Sequence, residues 1–505
     1  MSGIAGRLGV RGVAVVVSLV LSAWRLTQDP VINDDGILYM RAAEAILAGG
    51  WRSGLAIYSW PFYAWLVALL HQATGLGLEA AAHALDFALQ ALTVWAFITV
   101  VRALGGDRRV MIAAALIILV HPPLNDYRSF VIRDFGYWAF YLIALGCLVR
   151  HVKVPGVVPA LAWGVSMVLA TLFRIEGLVI LFLAPLALLV LPDRSFAARC
   201  GQFAIAQLVA LALLVALAGW SLAGAPLEQA GRLTEPMLWL QQFAAQLAGG
   251  FRDKAAALAQ SVLNRYSSHY AMAGVFAILA VILVGKAIGA LTPLYALLGL
   301  HAWRGRLVPP SAGTGRVLTW LVLVQIAILV GFLVNNFFLV QRNAVALALT
   351  VMLVVPFSVV ALYDRWLARA TGARAVRWLF PAVCVVLLAM AVDGLYSFGP
   401  SKSYLREAGL WLKTRAAPAS KVHAGNAIVA YYAGRADEQQ GRMFSWEETA
   451  ALLKGQSWRE YDYFAVAVGR AHPERAQALA AGLGRSPVAR FANGRGDQLL
   501  VFATR

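Results

Sequence analysis

The sequence predicts a mainly α-helical, polytopic membrane bundle of roughly eleven spans that ends in a small soluble α/β domain. Three observations carry this. Of 505 residues, 61% are apolar and 13% charged, with a mean hydropathy of +0.70, whereas a soluble domain is roughly half apolar and a quarter charged. Apolar runs repeatedly approach the roughly 20 residues that cross a bilayer as a helix. The basic residues behind the net charge of +18 fall mostly in short connections between apolar runs, where they set orientation. That placement argues against nucleic acid as their partner.

The runs follow in order. Arg7 and Arg11 precede a first span over about Gly12–Leu26, so the N-terminus is expected in the cytoplasm. No small-residue cleavage site follows, and the helix reads as retained. A polar first loop, about 28–59, then lies outside. Trp60–Leu70 is too short to span and reads as interfacial. Further spans are expected at Ala80–Val101, Val110–Val120, Tyr137–Val149, Val157–Phe173, Leu178–Leu191 and Ala204–Leu222. A long outer segment, Ala223–His269, contains a capped amphipathic helix starting at Thr234. Ala271–Leu300 reads as one span kinked at Pro293. Val317–Val334, Ala344–Leu362 and Leu379–Val392 complete the set. Every connection placed on the cytoplasmic side carries at least two basic residues.

The chain thus divides into a membrane domain, 1–394, and an outer α/β domain, 395–505. From Gly394 onward there are 15 basic and 9 acidic residues, a net charge of +6. Helices are expected over Ser403–Arg415, Ser445–Lys454 and Glu474–Leu483, the second opened by a capping box between Ser445 and Glu448. Tyr461–Val468 alternates as a strand, and Val488–Ala503 reads as two strands joined at Asn493-Gly494-Arg495-Gly496. Cys147, Cys200 and Cys384 all fall in membrane or cytoplasmic positions, so the outer domain has no disulfide frame.

Chemistry is expected where polar residues collect on the outer side. The densest cluster runs from Asn33-Asp34-Asp35-Gly36 through Tyr39, Arg41 and Glu44 to Gly49-Gly50. It reads as a helix over Gly36–Ala48 with three candidate N-caps before it and a glycine stop after it. The aspartates on this reading either cap the helix or serve as a general base. On the second span, His83 and Asp86 are ionisable groups near the outer end, where they either hydrate or act. His269, His423 and His472 have no partner pattern and are expected at the surface. The aromatic residues around Trp60 read as an interfacial belt.

The order of these short motifs resembles the GT-C superfamily of integral-membrane glycosyltransferases. Asp34-Asp35-Gly36 with Tyr39 and Arg41 is similar to the family's first external loop, and Ser59-Trp60-Pro61-Phe62-Tyr63 to the interfacial segment after it. Arg133-Asp134-Phe135, Phe173-Arg174-Ile175-Glu176-Gly177 and Gln341-Arg342-Asn343 look like later landmarks. The soluble tail completes the layout of protein O-mannosyltransferase-like and lipid A aminoarabinose transferase-like members. Two departures stand out: Asp34-Asp35 replaces the Asp-Glu of many relatives, and His83 and Asp86 stand where many carry an arginine.

The resemblance implies a sugar donor linked to polyprenyl phosphate and an envelope acceptor, in the plasma (inner) membrane with the C-terminal domain extracytoplasmic. It also implies an inverting displacement with Asp35 or Asp34 as base. Tyr39, Asp134, Glu176, His83 and Asp86 are the accompanying substrate-site candidates. The leaving phosphate needs cationic donors, and an arginine fork binds it bidentately. Arg133, Arg174 and Arg342 are the candidates, with Lys402 and Arg406 on the tail. For each the plainer role is snorkelling or pairing with a neighbour such as Asp134 or Glu176. His121, Asp126 and Asp134 share the outer side without a recognised ligand spacing, so no cofactor or metal is assigned and a divalent ion stays open. Two other classes fit the many spans: a transporter or flippase of lipid-linked glycans, and a non-catalytic scaffold of an envelope-assembly complex. The first requires paired charges deep in spans. The second requires no adjacent carboxylates facing the lipid.

Overall fold

The computed structural model of the chain describes residues 2–191, 194–222, 235–309, 313–368, 374–396, 399, 401–435 and 444–504. Among the described residues, six helices are long and apolar enough to cross a membrane: Gly9–Gln28, Leu78–Ala103, Asp134–Lys153, Ser268–Leu291, Thr314–Asn336 and Trp378–Leu395. Two bent pairs, Phe196–Ala206 with Leu208–Trp220 and Gln341–Met352 with Val355–Leu367, raise the number to eight if each is one span. Shorter apolar helices occupy Val157–Phe173 and Glu176–Val190, the latter tightening to a 3-10 helix from Ala184.

Contacts group these elements into two compact units. The first comprises Met1–Leu21, Phe87–Asp126 and Arg133–Gly394. Its helices approach closely where glycine removes a side chain. A Cβ at Gly136 would meet the Phe173 ring at 2.3 Å, and one at Gly164 would meet Val209 at 2.4 Å. Such small-residue contacts let apolar helices pack where lipid offers no hydrophobic drive.

One expected span is resolved differently. Ala271–Leu300 is not a single kinked helix; the helix Ala271–Leu291 ends and a second, Pro293–Arg304, begins. Thr292 between them has a positive φ of 69°, and its hydroxyl accepts from the Tyr295 amide. Proline, lacking an N–H, is here the first residue of a new helix rather than a kink inside an old one. Of the amphipathic helix expected from Thr234, the structure describes Glu235–Ala245; Thr234 itself lies outside the described residues.

The second unit comprises Ser22–Asp86, Tyr127–Ile132 and Leu395–Arg505. Among the described residues its sheet has four strands, β1 (Val422–Ala424), β2 (Tyr463–Val468), β3 (Ala489–Ala492) and β4 (Gln498–Ala503), in the order β1-β2-β4-β3. β1 runs parallel to β2 and the other pairs are antiparallel, with Phe464 opposite Phe502. Trp458, Phe464, Val466, Leu479, Leu483, Leu500 and Phe502 form its core. The helix Trp446–Lys454 opens with the expected reciprocal bonds between Ser445 and Glu448. His423 was expected at the surface; it lies fully buried on β1, stacked on Phe464 at 4.4 Å. Burial lowers its pKa to about 4, so it stays neutral.

Candidate active site

The acidic cluster lies in the second unit. Its helix spans Asp34–Gly49, beginning two residues earlier than its pattern suggested. The aspartates are therefore not caps but first-turn residues, where the helix dipole favours negative charge. Asn33 holds the cap position without a cap hydrogen bond. Its side chain is spent elsewhere, accepting from the Val131 amide at 2.8 Å and donating to the Val131 carbonyl at 3.3 Å. Gly36 is where this seam is tightest, since a Cβ there would stand 2.7 Å from Ile32 and 3.0 Å from Val131. Asp34 is exposed and Asp35 half-buried.

The buried face of the same helix carries Tyr39, packed edge-on against Tyr58 at 5.6 Å and Tyr63 at 5.0 Å. The Tyr63 hydroxyl donates to Asp86 at 2.9 Å. Burial and the Asp86 charge push the Tyr63 phenol well up, which keeps it a donor. Tyr39 and Asp86, 47 residues apart in the sequence, thus belong to one chain of contacts. His83 is buried one turn before Asp86. Glu79 precedes both on the same helix face, because positions 79, 83 and 86 recur at helical spacing. The Tyr432 hydroxyl donates to Glu79 at 2.9 Å and accepts from the Ile32 amide at 3.1 Å. Arg406 lies over the Tyr432 ring, 5.5 Å from its centroid. Lys402 is exposed, immediately before the helix Ser403–Arg415.

The other candidates lie in the first unit. Arg174, between the helices Val157–Phe173 and Glu176–Leu183, makes ion pairs with both Asp134 and Glu176. It also donates to Asn343 Oδ1 at 3.0 Å and lies over the Tyr137 ring. All three charged groups are buried. Asn343 belongs to the turn Gln341–Ala344, which also carries half-buried Arg342. The neighbouring Gln341 donates to the Gly289 carbonyl at 2.8 Å. Arg133 is half-buried at the start of the helix Asp134–Lys153. A small cavity opens beside Arg174, Glu176 and Asn343, walled by Tyr137, Gln325 and Phe332. Behind it, Gln325 donates to the hydroxyls of Tyr141 (2.8 Å) and Thr350 (2.7 Å). Among the described residues, no group of three or more His, Cys, Asp or Glu is placed to hold a metal ion.

The sequence does not single out Tyr432, Glu79 and Tyr63, which the fold brings beside these candidates. For Glu79 a signal was present, since it extends the His83–Asp86 spacing by one turn. Tyr432 had none, because its partners lie about 350 and 400 residues away.

No family model and no curated protein sequence matches the chain. Its fold matches solved structures. ArnT from Cupriavidus metallidurans, bound to undecaprenyl phosphate, aligns with a TM-score of 0.51 at 13% identity, over 99% of this chain and 98% of that one. The Archaeoglobus fulgidus oligosaccharyltransferase in its apo form aligns with a TM-score of 0.51 at 14% identity, over 88% of this chain and 60% of that one. The same enzyme with Zn and sulfate aligns at 0.50 over 87% and 58%. The chain thus spans about three-fifths of the oligosaccharyltransferase's length. ArnT and the oligosaccharyltransferase are both GT-C glycosyltransferases. Ordered loop motifs and the folded chain lead to one conclusion: this protein has the fold of the GT-C integral-membrane glycosyltransferases.

Proposed function

We propose that the protein transfers a sugar from a polyprenyl-phosphate donor to an envelope acceptor (lipid, glycan or protein) on the outer side of the plasma membrane. The observation that carries this reading is the pair Asp34 and Asp35 in the first turn of a helix whose start is pinned on Val131. The GT-C fold supports it, together with the polyprenyl phosphate named for one structural neighbour. Asp35 is the base: its carboxylate takes the proton of the acceptor's hydroxyl or amine as that heteroatom attacks the anomeric carbon. The bond from that carbon to the phosphate oxygen breaks, the electron pair leaves with polyprenyl phosphate, and the configuration inverts. Asp34 holds the acceptor.

Arg342 receives the leaving phosphate with its planar fork. Arg174, engaged by two carboxylates, fixes Asn343 beside it rather than contacting the donor. In this reading the membrane domain, 1–394, makes eleven crossings. The two bent pairs count as one each, and Arg108–Leu119, Val157–Phe173 and Glu176–Val190 supply the remainder. The domain 395–505 lies outside. Impermeant labelling of single cysteines tests the sidedness: Ser420→Cys should react in intact spheroplasts and Arg109→Cys should not, and the opposite pattern inverts the topology.

Purified protein given a labelled polyprenyl-phosphate sugar and a mixture of envelope lipids should release free polyprenyl phosphate. A flippase would move the lipid without cleaving it, and a scaffold would do neither. Either outcome refutes the transferase.

A further inference from the structure

We infer that Tyr432 of the C-terminal domain is a positioning residue for the acidic helix, through its single hydroxyl shared between the Ile32 amide and Glu79. This rests on the transferase reading above and extends it to the soluble domain, which that reading leaves without a task. The start of an α-helix has four backbone N–H groups without internal partners and is ordinarily fixed by the side chain of the cap residue. Here the cap residue, Asn33, is committed to Val131. The position of the first turn therefore depends on what holds the residues just before it.

On one side that is Val131, whose Cβ would lie only 3.0 Å from a Cβ placed on Gly36. On the other it is Tyr432, whose oxygen accepts from the Ile32 amide at 3.1 Å, two residues before Asp34. The same hydroxyl donates to Glu79 at 2.9 Å, so both its hydrogen-bonding directions are used. Ile32 and Tyr432 are buried, at 1% and 8% exposure, so water does not readily replace the bond. Arg406 over the ring completes the support from the Ser403–Arg415 helix. A second tie lies earlier in the chain, where the Trp24 indole donates to the Leu395 carbonyl at 2.8 Å and packs edge-on against Tyr396. The end of the first span is thus tied to the tail at Trp24, and the first loop again immediately before its aspartates.

A misplacement of about 1 Å in a reacting group can cost on the order of 100-fold in rate. Tyr432→Phe keeps the ring and removes the hydroxyl. It should lower turnover by roughly 10- to 100-fold with the donor KM unchanged, and backbone amides at 31–36 should exchange with deuterium faster. Glu79→Gln retains an acceptor for the tyrosine and should keep most of the turnover, whereas Glu79→Leu should behave like Tyr432→Phe. A merely stabilising contact would lower the melting temperature in Tyr432→Phe and Glu79→Leu and leave the turnover of the folded fraction intact, which would overturn the inference. So would unchanged exchange at Ile32 in Tyr432→Phe. Asp34→Asn and Asp35→Asn, assayed alongside, separate the two levels. If both are fully active, the choice of base is wrong; if one is inactive while Tyr432→Phe turns over normally, only the positioning role fails.

Discussion

Around Arg174, charge is buried and answered by opposite charge: one guanidinium holds Asp134 and Glu176, and its remaining reach goes to Asn343. At the start of the Asp34–Gly49 helix, two adjacent acids lie nearer the surface, Asp34 exposed and Asp35 half-buried, on a backbone fixed through Asn33, Val131 and Tyr432. A buried ion pair with both partners in place is poor at exchanging protons or receiving a new anion, because either event strands a charge in a low dielectric. Exposed or half-buried acids on a fixed backbone can take a proton without that penalty. The contrast is why we assign the first assembly to architecture and the second to chemistry, although in the sequence both are short acidic and basic motifs expected on outer loops.

Removing the cation should break this contrast most severely. Arg174→Ala removes the guanidinium that pairs both buried carboxylates and is expected to destabilise the folded protein by about 3–5 kcal/mol. The loss should appear as a lower melting temperature in detergent and lower yield. If the variant folds normally yet loses donor affinity, Arg174 contacts the phosphate and the assignment to architecture is wrong. A smaller effect sharpens the comparison from the other side. A charge-assisted phosphate contact is worth about 1.5–3 kcal/mol, so Arg342→Ala should raise the donor KM by roughly ten- to a hundredfold. Its melting temperature should fall far less than that of Arg174→Ala, and Arg342→Lys should restore only part of the affinity because the fork is lost. Unchanged donor kinetics would move the phosphate site to Arg133.

How much of this was legible in the sequence follows from the range of each interaction. Apolar runs fix helices locally, so Val157–Phe173 was read to the residue. The capping box at Ser445 is a three-residue signal, and it formed. The break at Thr292 looks like a kink in the sequence, because proline pattern alone does not distinguish a bent helix from a new first turn. β1 was invisible: three residues with no exposed position leave no alternation to see. The placement of His423 failed for the same reason, since its aromatic neighbours Phe444, Tyr461 and Phe464 come together only in the fold. In the candidate site, the residues themselves were legible as motifs, but their grouping was not. That Asp134, Arg174 and Glu176 form one knot, and that Asn33 turns to Val131 instead of capping its own helix, depend on contacts that no local pattern encodes.

The central claim is that an acid of the first loop is the base, and replacing carboxylate by amide tests it most directly. Asparagine keeps the shape at positions 34 and 35 while abolishing basicity. Turnover of a labelled polyprenyl-phosphate sugar by Asp34→Asn, Asp35→Asn and the double variant should be measured beside the melting temperature of each. General-base catalysis contributes roughly 10²- to 10⁴-fold, so Asp35→Asn should lose about that much turnover with its melting temperature essentially unchanged. Adjacent carboxylates can share a proton, and a loss confined to Asp34→Asn would exchange their roles without removing the base from this helix. Full transfer activity in the double variant would contradict the account and place the base elsewhere.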